Sequence, residues 1–181
     1  MPVHPDYDLT NLYFVTTSAV QRAHLLRRDV MKRIVADSLD YIRSHQWISL
    51  YAFVVMPNHV HLVCRFLAGH VLSDVMRDFK KHVAKQIIRH YQAERNDRAL
   101  ACLRQAAELL RDQEYKVWEE GYDARDVFSA GFLKQKIEYV HENPCQPHWA
   151  LAERPEDCPW SSARFYLLSE PAVIAVDDAS V

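Results

Sequence analysis

No apolar run in this chain of 181 residues approaches the roughly 18 needed to cross a bilayer, so no membrane span is expected. The opening stretch Met1-Pro2-Val3-His4-Pro5-Asp6 has neither the basic nor the apolar region of a secretory signal, and a cytoplasmic location is expected. Cys64, Cys102, Cys145 and Cys158 are widely scattered with no CxxC pair, which disfavours a cysteine zinc site and reads as reduced thiols. Positive charge is not in excess. Lys and Arg number 22 against 24 Asp and Glu, a net charge of −2, which argues against a protein that coats nucleic acid generally. Internal repeats, linkers and low-complexity segments are also missing.

The length and the ordinary balance of apolar and charged residues fit one globular domain with a substantial core. Leu12 to Thr17 is β-branched and aromatic, a first strand. From Leu25 to about His45, Leu26, Val30, Ile34, Leu39 and Ile42 recur at helical spacing. Trp47 to Met56 and His59 to Phe66 read as a hairpin around Pro57-Asn58. A second helix starts near Ser73, with Val75, Phe79, Val83 and Ile87 inward. A third is expected over Arg98 to Asp112, with Leu100, Leu103, Ala107 and Leu110 inward. Tyr115 to Trp118 looks like a further strand, followed by a turn at Gly121 and a short extended piece through Phe128. A helix over Gly131 to Asn143 ends at Pro144. Ser161-Ser162 would cap a short helix over Ala163 to Leu168, and the last residues are expected to fray. The order strand, helix, strand, strand, helix, strand is that of a ferredoxin-like α+β sandwich, an antiparallel sheet with helices on one face and the other face free.

Two stretches carry chemistry. In Met56-Pro57-Asn58-His59-Val60-His61-Leu62 a strand places His59 and His61 on one face and Val60 and Leu62 on the other. Two imidazoles side by side on a rigid strand form half of a site for a divalent cation; a plain solvated pair is the alternative. In Lys136-Ile137-Glu138-Tyr139-Val140-His141-Glu142-Asn143-Pro144, Tyr139 and Asn143 share a helix face about 6 Å apart along the axis. His141 is turned from Tyr139 by roughly 200° and is the alternative to Asn143 as a third metal ligand, while Asn143 could equally serve as a helix cap. Together the stretches hold a metal half-site, a hydroxyl nucleophile and a further oxygen, enough for metal-assisted attack on a phosphodiester. Basic residues cluster at Arg22, Arg27, Arg28, Lys32 and Arg33 and again at Arg77, Lys80, Lys81 and Lys85. Either cluster can be a solvated helix face, and the second can meet a polyanion. Trp118, Tyr122 and Trp160 read as packing residues.

The ordered series Tyr13-Phe14-Val15-Thr16-Thr17, Val54 to Leu62, Met76-Arg77-Asp78-Phe79-Lys80, Val117 to Tyr122, Lys136 to Pro144, Arg154-Pro155-Glu156-Asp157 and Pro159-Trp160-Ser161-Ser162 resembles the HUH single-tyrosine transposases. Within them it looks most like the REP-associated tyrosine transposases. The resemblance spans most of the chain, as one domain with a catalytic core over about 10–145 and a C-terminal extension over 146–181. It implies cleavage and rejoining of single-stranded DNA, typically beside hairpin-forming repeats, through a 5′-phosphotyrosine. It assigns Tyr139 as nucleophile, and His59, His61 and Asn143 as ligands of Mg²⁺ or Mn²⁺. Asn143 stands where relatives often carry glutamine, and Cys145-Gln146 depart from the usual residues after Asn-Pro. Arg77, Lys80 and Lys81 are candidate DNA contacts. A homodimer stays open, since some relatives share active sites between subunits. The alternative is a catalytically silent single-stranded DNA- or RNA-binding module on the same fold.

Overall fold

The computed structural model describes residues 10–108 and 113–179. Their elements run β1 (Leu12–Ser18), α1 (Asp29–Ser44), β2 (Ile48–Val55), β3 (His59–Phe66), α2 (Leu72–Ala93), α3 (Asp97–Ala106), β4 (Asp123–Asp126), α4 (Ala130–Glu142) and α5 (Ala163–Leu168). The four strands form one antiparallel sheet in the order β2-β3-β1-β4, an α+β sandwich as the sequence indicates. β1 pairs with β3 from Leu12↔Arg65 to Ser18↔His59, so the first strand lies directly beside the His-x-His strand.

The period-two alternation divides the core into two layers. Val15, Val60, Leu62 and Cys64 point to one side, where they pack with Met31, Val35 and Leu39 of α1 and Phe79, Val83 and Ile87 of α2. Phe14 and Val63 point to the other, where Leu133, Ile137 and Val140 of α4 cover them. The face expected to stay free is therefore crossed by the tyrosine helix, which packs on β2 and β3.

β2 changes phase partway along. Its register against β3 slips between Leu50 and Ala52, a β-bulge at Tyr51. Leu50 thus enters the α1–α2 layer, Tyr51 and Ala52 both enter the α4 layer, and Phe53 returns to the first.

Three further differences have local causes. α1 begins at Asp29 rather than Leu25, because the Leu26 amide donates to the Pro57 carbonyl at 2.8 Å and Leu26 plugs the core in extended chain. Tyr115 to Trp118 is not a strand. Only Trp118 makes a bridge, to Ala19, while its indole turns inward and donates to the Lys80 carbonyl at 3.0 Å. α3 ends at Ala106, and Leu110 lies outside the described residues.

As far as Ala179 the C-terminal extension is bound to the free edge of β2 rather than frayed, and residues 180–181 lie outside the described residues. Val55 N donates to the Trp160 carbonyl (2.9 Å), Ser162 N to the Phe53 carbonyl (3.0 Å) and Asp177 N to the Leu50 carbonyl (2.7 Å). Ile174 and Val176 are buried in the α1–α2 layer. Trp160 donates to Asp29 at 3.0 Å and lies beneath the cations of Lys32 and Arg33, fastening this segment to α1.

Candidate active site

β3 and α4 bring the two chemical stretches together. His59 and His61 project from the α4 side of β3 with ring centroids 4.5 Å apart, and both are more than nine-tenths buried. The Tyr139 ring meets His61 edge-on with centroids 5.3 Å apart, and Phe14 of β1 stacks on the same imidazole, also at 5.3 Å. Tyr139 itself is 45% exposed, so the site opens to solvent at the tyrosine.

Each imidazole has its Nδ1 held by a neighbour. Thr16 Oγ1, opposite His61 in the β1–β3 register, lies 2.8 Å from His61 Nδ1. Asn58 Oδ1 lies 2.6 Å from His59 Nδ1, while Asn58 Nδ2 donates to the Arg22 carbonyl at 3.1 Å. That second bond fixes the amide's orientation, so His59 Nδ1 must be the donor. Nε2 is the nitrogen left on each ring for a ligand. Arg22 reaches this position because Gln21 and Arg22 both adopt left-handed backbone angles, φ 52° and 53°.

Burial keeps both rings neutral. It lowers His59 to about 4, opposed by the neighbouring Asn143 side chain and assisted by the charges of Arg22 and His148. It lowers His61 to about 3, with His59, Lys136 and Arg22 adding to the effect. A neutral imidazole is the form that binds metal.

Asn143 caps α4 and leads into a 3₁₀ turn over Asn143–Cys145. Its side chain lies beside His59, yet its Oδ1 is buried without a hydrogen bond of good geometry. An orphaned carbonyl oxygen beside His59, whose neutral ring lies 4.5 Å from that of His61, fits a divalent cation of the Mg²⁺ or Mn²⁺ class. Among the described residues no group of three or more His, Cys, Asp or Glu is placed to hold a metal, so this mixed set of two histidines and an amide is the candidate.

Other residues singled out in the sequence lie elsewhere. His141 is turned into the α4–α5 contact, its Nε2 2.8 Å from Ser162 Oγ and its ring against Tyr166, so it is not placed as a third ligand. Lys80 is not a free phosphate contact: its ammonium donates to the Glu119 carbonyl at 2.9 Å and to the Gly121 carbonyl. Arg77 is exposed and paired with Asp74 and Asp78, and Lys81 is exposed on the same helix.

Four residues at the site were not read as functional from sequence. Thr16 and Asn58 hold the imidazoles. Trp149 of the C-terminal extension lies 5.7 Å from the His59 ring and 5.7 Å from His24. Lys136 places its ammonium 4.9 Å from the Phe14 ring, 4.9 Å from Phe132 and 5.6 Å from Tyr139. Lys136 had a signal, since it stands three residues before Tyr139 on one helix face. The other three depend on tertiary neighbours.

An antiparallel α+β sandwich with a tyrosine helix crossing a His-x-His strand defines a transposase-type domain. The family model described as "Transposase IS200 like" matches residues 9–143, three-quarters of the chain, and the protein belongs to that family. The solved structure of a REP-associated tyrosine transposase bound to a REP hairpin is similar in fold, with a TM-score of 0.62 at 16% identity, covering 98% of this chain and 92% of that one. A putative transposase from Deinococcus radiodurans R1 aligns at 22% identity with a TM-score of 0.47, over 78% of this chain and 98% of that one. No curated protein matches the chain. Among the described residues, no helix is long and apolar enough to cross a membrane.

Proposed function

We propose that this transposase-family protein cleaves and rejoins single-stranded DNA through a covalent bond to Tyr139, with a divalent metal held by His59, His61 and Asn143. The observation that carries the reading is the contact of Tyr139 with His61, 5.3 Å between rings that the sequence separates by 78 positions. α4 crosses the sheet where that contact can form.

A divalent cation bound there supplies Lewis-acid polarisation of the phosphate and neutralises charge developing on it. The residues of this chain do the rest. Tyr139 Oη gives up its proton and attacks phosphorus, and the bond from phosphorus to the 3′ oxygen breaks. That oxygen leaves as a 3′-OH, the proton released by the tyrosine balancing the one it takes up. The product is a 5′-phosphotyrosine. Attack by a DNA 3′-OH reverses the step and returns the tyrosine hydroxyl, so ends are exchanged without ATP. Thr16 and Asn58 hold each imidazole by its Nδ1, so Nε2 is the nitrogen that would ligate a cation.

The similar REP-associated transposase is bound to a REP hairpin, and hairpin-forming DNA near the gene is accordingly the substrate class to test. Labelled single-stranded hairpin DNA is incubated with the protein and Mg²⁺ or Mn²⁺ and run on a denaturing gel. A covalent band lost in Tyr139→Phe and in EDTA is expected. Tight binding with no adduct from the native protein would replace this reading with that of a DNA-binding module.

A further inference from the structure

α4 carries an exposed feature that the chemistry above does not use. Phe128, just before the helix, is 74% exposed, the most exposed large apolar side chain of the described residues. It stacks on Phe132 with centroids 4.8 Å apart and planes 17° from parallel. Phe132 in turn lies beneath the Lys136 ammonium, which also sits over Tyr139. Phe132, Lys136 and Tyr139 follow one another at spacings of four and three, a single helix face about 10 Å long.

The charges along this face are sorted. Lys134 pairs with Glu138 at 3.7 Å on a neighbouring side of the helix. Lys136 has no carboxylate partner among the described residues and is instead surrounded by the rings of Phe14, Phe132 and Tyr139. Rigid rings locked by stacking, followed by an uncompensated cation, match a single-stranded nucleic acid. Its bases stack on aromatic faces and its phosphates take the cation.

We propose that Phe128, Phe132 and Lys136 form a track that guides the DNA strand onto Tyr139: a base stacks on the outer face of Phe128 and a backbone phosphate meets Lys136. Phe132 supports both without needing to touch DNA. The proposal rests on the strand-transfer reading for its ligand, single-stranded DNA, but concerns binding, so the two can be tested apart.

The test uses the full chain carrying Tyr139→Phe, which keeps the ring and prevents covalent trapping. Affinity for the labelled single-stranded DNA is measured by fluorescence anisotropy over a range of salt. Added Phe128→Ala, at an exposed position, is expected to weaken binding about 5- to 100-fold at every salt concentration. Placing an abasic nucleotide at one position of the strand should abolish that difference, since no base is left to stack. Lys136→Met is expected to weaken binding and to flatten the slope of log affinity against log salt by about 0.7, one phosphate contact in a single strand. Lys136→Arg should restore the slope. Thermal melts of each variant show whether the fold is kept.

If Phe128→Ala binds within twofold of its parent and Lys136→Met leaves the salt slope unchanged, the track is refuted, even when native protein forms the Tyr139 adduct. If native protein forms no adduct while the variants weaken binding as described, the track stands and the strand-transfer reading falls. If no single-stranded DNA binds, both fall.

Discussion

Asn58 holds His59 from behind. Its Oδ1 accepts from His59 Nδ1 at 2.6 Å, and its Nδ2 is anchored on the Arg22 carbonyl at 3.1 Å. The residue that shapes the hairpin turn thus also sets the tautomer and angle of an imidazole on the following strand. Groups that orient a ligating histidine are commonly worth 10- to 100-fold in metal affinity. Asn58→Ala is therefore expected to weaken Mn²⁺ binding by about that factor in calorimetry, with a smaller change in melting temperature. Unchanged affinity with a lower melting temperature would make Asn58 a brace of the Arg22 loop and nothing more.

Acid should destabilise the fold well before carboxylates titrate. Burial lowers His141 to about 4, as it does His59, while His61 falls to about 3. In the unfolded chain these groups titrate near their ordinary 6.5. Between about 6.5 and 4 the unfolded state binds more protons, so unfolding free energy rises with pH across that window and is lost as pH falls. Urea midpoints should decline steadily from pH 7 to pH 4.5. His141→Gln, which can keep a bond to Ser162, should make that decline shallower. An identical decline in the variant would show that His141 is not buried neutral.

Lys80 separates packing from DNA contact. It lies in a basic cluster that the sequence offered as a phosphate site, but its ammonium bridges the carbonyls of Glu119 and Gly121. Burial lowers its pKa. Gly121 adopts φ +67°, the left-handed turn that presents this carbonyl to α2. Lys80→Met is expected to lower the denaturation midpoint, leaving two carbonyls without their donor. Its effect on single-stranded DNA affinity and on the salt slope should be negligible beside that of Lys136→Met. A loss of salt slope equal to that of Lys136→Met would return Lys80 to the DNA interface.

These cases show where sequence is informative. The strands and the shared face of His59 and His61 follow from a period of two, and the shared face of Tyr139 and Asn143 from a period of 3.6. Both are local, and both were legible. Which side of the sheet α4 would cover was not, because it is a long-range placement, and neither was the bulge at Tyr51, which brings Tyr51 and Ala52 together into the α4 layer. Trp118 is a packing residue as expected, but the strand expected over Tyr115 to Trp118 is absent. Its β-forming neighbours suggested a strand, whereas the Lys80 carbonyl on a helix far away in sequence draws the indole inward. Thr16 faces His61 only through strand pairing. The departures lie in long-range placement, whereas the shared faces of His59 with His61 and of Tyr139 with Asn143 come from local periodicity alone.

Asp177 ties the C-terminal extension to the sheet edge beside that bulge. Its carboxylate accepts from Arg43 Nη2 of α1 at 2.8 Å and from the Leu50 amide of β2 at 2.8 Å, and its own amide donates to the Leu50 carbonyl. Leu50 is where β2 loses its regular pairing with β3, so its outward groups depend on this partner. An uncovered strand edge is also a template for pairing with other chains. Asp177→Ala removes both acceptors and leaves the Leu50 amide and Arg43 guanidinium to find water, at a cost of about 1–3 kcal/mol. Asp177→Asn keeps an acceptor for Leu50 and should cost less. Urea denaturation of the two variants, with light scattering to follow self-association, checks both consequences. Asp177→Ala melting like the native protein and staying monodisperse would mean that the buried Ile174 and Val176 hold the extension without help from the carboxylate.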